Sequence, residues 1–315
     1  MHNSNNIGHI GCGYWGKNII KTLYEMECLY GIADTNQESL DDIRKNVSKD
    51  IPFYDTDTLI ASSELKAITL ATPAETHYEI GMKILESGKN LYVEKPLTLN
   101  FNEAKNMVDY AHKNKLTLQV GHLMIYHPAF KKLKDLIKKD YFGKILYIFS
   151  NRLKWGKVRD FENVIWSFAP HDISMISYLL DSKLQLENAY SKKLIPGTED
   201  TAHIFLSSNS GTHCHINCSW LNPFKEFKFC IVGDKQSAVY DDGNDFISIF
   251  ETDLLSSSNS QWEAPGFEKL QFDNSIKPLT AALEDFITSC DNLTVPLASG
   301  RNGLEVVKLL ECING

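Results

Sequence analysis

Ile7-Gly8-His9-Ile10-Gly11-Cys12-Gly13-Tyr14-Trp15-Gly16 decides the fold. Ile7 to Ile10 is a short apolar run of strand type. Beyond Gly16, Ile19, Ile20, Leu23 and Met26 recur at helical spacing. Between them lies G-x-G-x-x-G, the turn that joins a strand to a helix in dinucleotide-binding βαβ units. Gly11 supplies the tight turn, Gly13 lets a pyrophosphate approach the backbone, and Gly16 lets the helix close on the strand. Cys12, Tyr14 and Trp15 complete the turn, whose helix N-terminus offers free N–H groups to phosphate. A second apolar segment, Leu29 to Ala33, ends at Asp34, close to the ~20-residue spacing of the acid that binds ribose hydroxyls.

The alternation continues outward. Helices are expected over 38–47, 56–62, 75–87 and 101–114, with Gly88 and Asn100 as stop and start signals. Strands are expected at 51–54, 66–71, 91–93 and 116–120, the first at an edge because Pro52 cannot donate to a ladder. Short βα repeats imply a parallel, doubly wound sheet, whose ligands sit beyond the carboxyl ends of the strands. That rule gathers Gly11–Gly16, Asp34, Thr72-Pro73, Glu94-Lys95-Pro96 and Gly121-His122 on one rim. Lys95, extended because Pro96 follows it, can donate to a substrate hydroxyl or, if desolvated, exchange a proton. A surface ion pair with Glu94 explains it equally well.

The chain has 315 residues, 43% of them hydrophobic, enough for two domains, here divided as 1–122 and 123–315. A net charge of −8 argues against nucleic acid as partner. Neither a membrane-length apolar run nor a signal-like N-terminus is found, so a cytoplasmic location is expected. Seven scattered cysteines read as reduced thiols. His213-Cys214-His215-x-x-Cys218 alternates in a strand, which puts the cysteines on one face and the histidines on the other, so no metal is expected.

Gly11-x-Gly13-x-x-Gly16, Asp34, Ala71-Thr72-Pro73-x-x-x-His77 and Glu94-Lys95-Pro96 together resemble the glucose–fructose oxidoreductase/inositol dehydrogenase (Gfo/Idh/MocA) family. The resemblance implies a Rossmann domain followed by an α/β domain with a large open, mostly antiparallel sheet that mediates homodimers or homotetramers. It also implies NAD(P)-dependent chemistry on a sugar-like alcohol, with cofactor contacts extending to Thr72, Pro73, His77, Glu94 and Lys95, and Lys95 catalytic. Asp34 would repel a 2′-phosphate with no neighbouring arginine to offset it, which selects NAD.

The family's Val-Gly-Phe-Asn-Arg-Arg-Phe segment is replaced here by Val120-Gly-His122-Leu-Met-Ile-Tyr126, so His122 stands where an aromatic is usual. Pro170 suits a first helical position, which would put His171 in a first turn, where the helix dipole keeps the ring neutral and able to act as a base. The segment resembles the family's Asp-x-Gly-x-His helix start, with Ser167 in place of the aspartate; Asp172 is read as a helix-start acid. Lys95 and His171 are the catalytic candidates. Ser150-Asn-Arg152-Leu-Lys154 and Trp166-Ser-Phe-Ala-Pro-His-Asp-Ile-Ser174 look like the nucleotide-sugar 3-dehydrogenase branch, which oxidises C3 of UDP-N-acetylglucosamine or its uronate on the way to diamino sugars. Arg152, Lys154, Lys157 and Arg159 are then diphosphate candidates, with Trp166, His122 and Asp172 near the sugar. A free sugar or inositol dehydrogenase, and a non-catalytic sensor on the same scaffold, are the alternatives. Further strands are expected at 145–152, 201–207, 212–220, 224–232 and 237–240, and helices at 128–139, 280–290 and 303–312. The polar stretch 244–274 gives no clear pattern.

Overall fold

The computed structural model describes residues 6–156, 162–251 and 266–314. The chain forms two compact units, Met1–Leu123 with Pro278–Lys308, and Met124–Lys277 with Leu309–Gly315.

In the first unit, β1 (Ile7–Ile10), α1 (Tyr14–Glu25), β2 (Leu29–Ala33), α2 (Gln37–Asn46), β3 (Phe53–Tyr54), α3 (Thr56–Ala61), β4 (Ala67–Leu70), α4 (His77–Glu86), β5 (Asn90–Val93), α5 (Phe101–Lys113) and β6 (Leu118–Val120) follow one another. The strands pair in the order β3-β2-β1-β4-β5-β6, all parallel. This is the doubly wound order, with the strand sequence reversing beside β1. Central β1 and β4 are wholly buried, as expected of strands covered on both faces. Side chains cap the helices where the sequence supplies them: Asn36 for α2, Asp55 for α3 and Asn100 for α5.

The second unit holds α6 (Pro128–Lys138), β7 (Ile145–Trp155), α7 (Val164–Leu180), β8 (Leu184–Lys192), β9 (Thr201–Ser208), β10 (His213–Ser219), β11 (Leu221–Gly233), β12 (Gln236–Asp241), β13 (Phe246–Glu251) and β14 (Phe267–Gln271). Their sheet runs β14-β13-β12-β11-β7-β10-β9-β8, antiparallel except where β7 meets β10. The α/β class and the open, mostly antiparallel second sheet are therefore as expected. Period two sorts β10: Cys214, Ile216 and Cys218 are buried, while His215 lies on the opposite face, stacked on Phe205 at 4.5 Å.

Three expectations need correction. Residues 184–192, 246–251 and 267–271 are strands that the sequence reading did not find. The helices α8 (Pro278–Asn292) and α9 (Gly300–Asn314) do not simply follow the second domain, because Pro278–Lys308 returns to the first unit. There Val120 N–H donates to the Ala298 carbonyl and the Gln119 side chain to the Ala282 carbonyl, closing the free edge of β6. Finally, α7 begins at Val164, with the Asn163 side chain accepting from Trp166 N–H, so Pro170 lies inside the helix.

Candidate functional site

The turn after β1 is built as its glycines require. Gly11 has φ +100°, and a Cβ there would lie 2.6 Å from the Ala71 backbone at the end of β4. A Cβ on Gly16 would lie 1.8 Å from the Gly11 carbonyl oxygen. Gly13, which caps α1, faces open space: a Cβ there would meet nothing within 4 Å. The strand end thus offers a bare backbone and a helix N-terminus toward one side, a fit for a pyrophosphate. Tyr14 is 82% exposed and stands edge-on to Trp15, with ring centroids 6.0 Å apart.

Asp34, at the end of β2, accepts hydrogen bonds from the backbone N–H groups of Cys12 and Asn36. The acid expected at the ribose is thereby tied to the glycine-rich turn. Burial, reinforced by the Asp34 charge, pushes the Cys12 thiol up to about 12, so this cysteine stays a neutral packing group.

His9 is a site residue that the sequence reading missed. It is fully buried; Nε2 lies 2.7 Å from the Gly11 carbonyl oxygen and Nδ1 2.7 Å from Thr69 Oγ1. Burial lowers its pKa to about 4. As a neutral ring it donates to Gly11 and accepts from Thr69, so it holds the carbonyl that Gly16 packs against. Its only local signal is a polar residue in an apolar strand.

His77 was expected at the cofactor. It is instead 1% exposed, its ring set between the Thr72 carbonyl (Nε2, 2.9 Å) and the Pro96 carbonyl (Nδ1, 2.8 Å). It braces the loop after β4 against the loop after β5: burial lowers its pKa, and the neutral ring donates its one N–H to one of the two carbonyls. Thr72 keeps its place on the rim, hydrogen-bonded to Thr76 at 2.7 Å.

The ends of β5 and β6 bring Glu94, Lys95, Gly121 and His122 together. Val93 pairs with Val120, so Glu94 and Gly121 continue side by side. The Glu94 carboxyl lies against the bare Gly121 backbone, where a Cβ would come within 2.9 Å of Oε1. Oε2 accepts from Lys95 N–H at 3.3 Å. Burial raises the Glu94 pKa to about 7, with the Lys95 charge acting in the opposite direction. Burial, and then the same Lys95 charge, lowers that of His122 to about 3. The ring is therefore neutral at physiological pH. Lys95 is half-buried, and its peptide bond to Pro96 is cis.

In the second unit, β7 presents Ser150 and Arg152 to α7. Ser150 Oγ donates to Asp172 Oδ1 at 2.6 Å, and Arg152 forks onto the same carboxylate through Nε (2.7 Å) and Nη2 (3.2 Å). Asp172 is fully buried, and the guanidinium lies 3.9 Å over the Phe227 ring. Asp172 is therefore not a helix-start acid but the anchor of α7 on β7. Arg152, expected at a diphosphate, is committed to that anchor. His171 is the eighth residue of α7, beyond the reach of the first-turn dipole effect expected for it. Trp166 sits in the first turn, and Lys154 is exposed with Nζ 5.0 Å over the Phe168 ring. Lys157 and Arg159 lie outside the described residues. No helix of the described residues is long and apolar enough to cross a membrane.

Comparison with known proteins places both units. Residues 5–122 match the oxidoreductase family with NAD-binding Rossmann fold, GFO/IDH/MocA, and residues 130–239 match the GFO/IDH/MocA C-terminal domain. The UDP-N-acetylglucosamine 3-dehydrogenase of Acidithiobacillus ferrooxidans is 26% identical over 213 residues, 67% of this chain and 66% of that protein. The myo-inositol 2-dehydrogenase of Thermotoga maritima is 25% identical over 218 residues, 65% of each. The solved structure of the Acidithiobacillus enzyme superposes with a TM-score of 0.85 at 22% identity, covering 98% of this chain and 96% of that one, which establishes a common fold. The chain spans 49%, 66% and 48% of the lengths of three curated relatives that it matches.

Proposed function

The chain belongs to the Gfo/Idh/MocA oxidoreductases, with the NAD-binding Rossmann domain of that family, and on this premise we propose that it oxidises a sugar hydroxyl with NAD. The substrate of this reading is UDP-N-acetylglucosamine or its uronate, oxidised at C3 to the 3-keto sugar that an aminotransferase then consumes. The observation that carries the reading is the rim of the first unit. An open phosphate-binding turn, an ordered ribose-binding acid and Lys95 stand at the ends of one parallel sheet. A relative named for the UDP-sugar reaction, aligned over 67% of the chain, supports the choice of substrate.

The cofactor takes a hydride from the carbon while the hydroxyl proton leaves to a base. Lys95 and His171 are the two groups assigned to that oxygen, one removing the proton and the other stabilising the charge that develops. Gly11, Gly13 and the start of α1 hold the pyrophosphate, and Asp34 the adenine ribose. Because Arg152 is tied to Asp172, the diphosphate role falls to Lys154, Lys157 and Arg159 in this reading. The same reading makes the protein a homodimer or homotetramer through the open sheet face, where Tyr147 and Phe205 are exposed. Sedimentation reads that directly.

The test follows absorbance at 340 nm with NAD and, separately, UDP-N-acetylglucosamine, its uronate, myo-inositol and glucose. The cognate aminotransferase and glutamate are added to draw the oxidation forward. Turnover with a UDP-sugar alone is expected, lost about a hundredfold or more in Lys95→Ala and in His171→Ala. Lys154→Ala and Arg159→Ala should raise KM for that substrate. Turnover with inositol or glucose would replace the substrate class, and tight NAD binding with no turnover would make the protein a sensor.

A further inference from the structure

Three polar side-chain atoms at the ends of β5 and β6 have no hydrogen-bond partner among the described residues: Glu94 Oε1, His122 Nδ1 and His122 Nε2. Glu94 is 6% exposed and His122 1%. A buried polar atom without a partner destabilises the fold, and such atoms are few in native proteins. Their concentration on two adjoining strand ends, Glu94 against Gly121 and His122 next in the chain, points to a ligand. Position 122 makes this sharper, because an aromatic ring, the residue usual in the family segment that this stretch resembles, would fill the space with no unsatisfied nitrogen.

The chemistry of two of these atoms, one ring nitrogen of His122 and Glu94 Oε1, defines the group that would pair with them. A neutral imidazole offers one N–H donor and one acceptor nitrogen. Glu94 Oε1 accepts when ionised, and its orientation is fixed by the Lys95 N–H on Oε2 and by the Gly121 backbone beneath the carboxyl. A planar group with one acceptor oxygen and an N–H donor matches that pair, and a primary carboxamide is such a group. The rim that carries Glu94 and His122 is the rim of the dinucleotide turn, and NAD has one carboxamide, on the nicotinamide ring.

We propose that His122 and Glu94 form the seat of the nicotinamide carboxamide, His122 donating to its oxygen and Glu94 Oε1 accepting from its NH2. The inference rests on NAD being the cofactor. The seat fixes the rotation of the nicotinamide about its glycosidic bond, and so selects which face of the ring meets the substrate. It assigns His122 to the cofactor, not to the sugar as the sequence suggested.

The experiment is calorimetric titration of the full chain with NAD, with ADP-ribose (which lacks nicotinamide) and with 3-acetylpyridine adenine dinucleotide (a methyl ketone in place of the carboxamide). The wild type should bind the acetylpyridine analogue about tenfold more weakly than NAD, because the analogue has no N–H to offer Glu94. His122→Phe should weaken NAD and the analogue alike by about tenfold or more and leave ADP-ribose unchanged. Glu94→Leu should remove the preference for NAD over the analogue, and His122→Gln should recover part of the loss. Equal changes for NAD and ADP-ribose in these variants, or a wild type that does not distinguish NAD from the analogue, overturn the seat. Failure of the wild type to bind either NAD or ADP-ribose would instead overturn the cofactor reading beneath it. The wild-type comparison of ligands requires no variant to fold.

Discussion

Among the described residues, Glu94 of the first unit and Asp172 of the second are buried carboxylates beside a basic residue, and the two are treated in opposite ways. Asp172 meets three donors, from Ser150 and from two nitrogens of Arg152. Glu94 meets one backbone N–H, and its other oxygen has no hydrogen-bond partner among the described residues. Burial alone therefore does not say what an acid is for; the count of donors does. A fully satisfied carboxylate fixes one arrangement, here α7 on β7. A half-satisfied one holds capacity in reserve for a ligand, at some expense in stability.

The largest test of this contrast is thermodynamic. Asp172→Ala strands a mostly buried guanidinium and should lower the unfolding free energy by about 3–5 kcal/mol. Glu94→Leu removes one oxygen that no described residue satisfies and one that accepts only the long 3.3 Å bond from Lys95 N–H, and should lie within about 1 kcal/mol of wild type or be stabilising. Urea unfolding of both variants checks the pair. Equal losses would erase the distinction between a locked acid and a poised one.

The pH dependence of stability gives the next test. Glu94 has its pKa raised from 4.5 to about 7, so the folded state holds a proton that the unfolded chain releases. Its contribution is complete below about 4.5 and is lost as pH rises through 7. His122 has its pKa lowered from 6.5 to about 3. Its contribution is present above 6.5 and is lost as pH falls through 3. Between 4.5 and 6.5 the two slopes oppose each other, each ~1.4 kcal/mol per pH unit. Glu94→Leu should therefore make stability climb with pH across this window. His122→Phe should flatten it, because buried His9, its pKa lowered from 6.5 to about 4, acts in the same sense as His122 over the whole window and offsets Glu94. Unchanged slopes in both variants would mean that neither group titrates away from its ordinary value.

How far the sequence reached follows the same division between local and distant causes. Gly11, Gly13, Gly16 and the strand ends were readable because a turn and its flanking apolar runs are contiguous. The rim residues followed because a parallel sheet of short βα units puts all strand ends on one side. Asp172 was misjudged because its partners lie on β7, across a segment that shows no spacing rule, and because Pro170 imitates a helix start. Asn163, the residue that does cap α7, carries the ordinary signal, an amide side chain just before an apolar run. His77 and His9 are held by groups 19 and 60 residues away, and no local pattern announces a brace. The return of Pro278–Lys308 to the first unit depends on backbone pairing to β6, which leaves no mark in side-chain periodicity.

The smallest expected effect asks which donor does the locking. Ser150 Oγ reaches Asp172 Oδ1 at 2.6 Å, but the same oxygen also receives Arg152 Nη2 at 3.2 Å. Ser150→Ala removes a hydrogen bond to a charged group, which alone contributes about 1.5–3 kcal/mol, yet it leaves neither carboxylate oxygen bare. Its net cost should therefore be about 1 kcal/mol, well below that of Asp172→Ala. In Asp172→Asn the Arg152 fork is already weakened, so a double-mutant cycle between the two sites should show coupling. If Ser150→Ala alone costs as much as Asp172→Ala, the hydroxyl and not the ion pair is the anchor. Asp172 would then be an acid as dependent on a single donor as Glu94, and the number of donors would no longer separate the two.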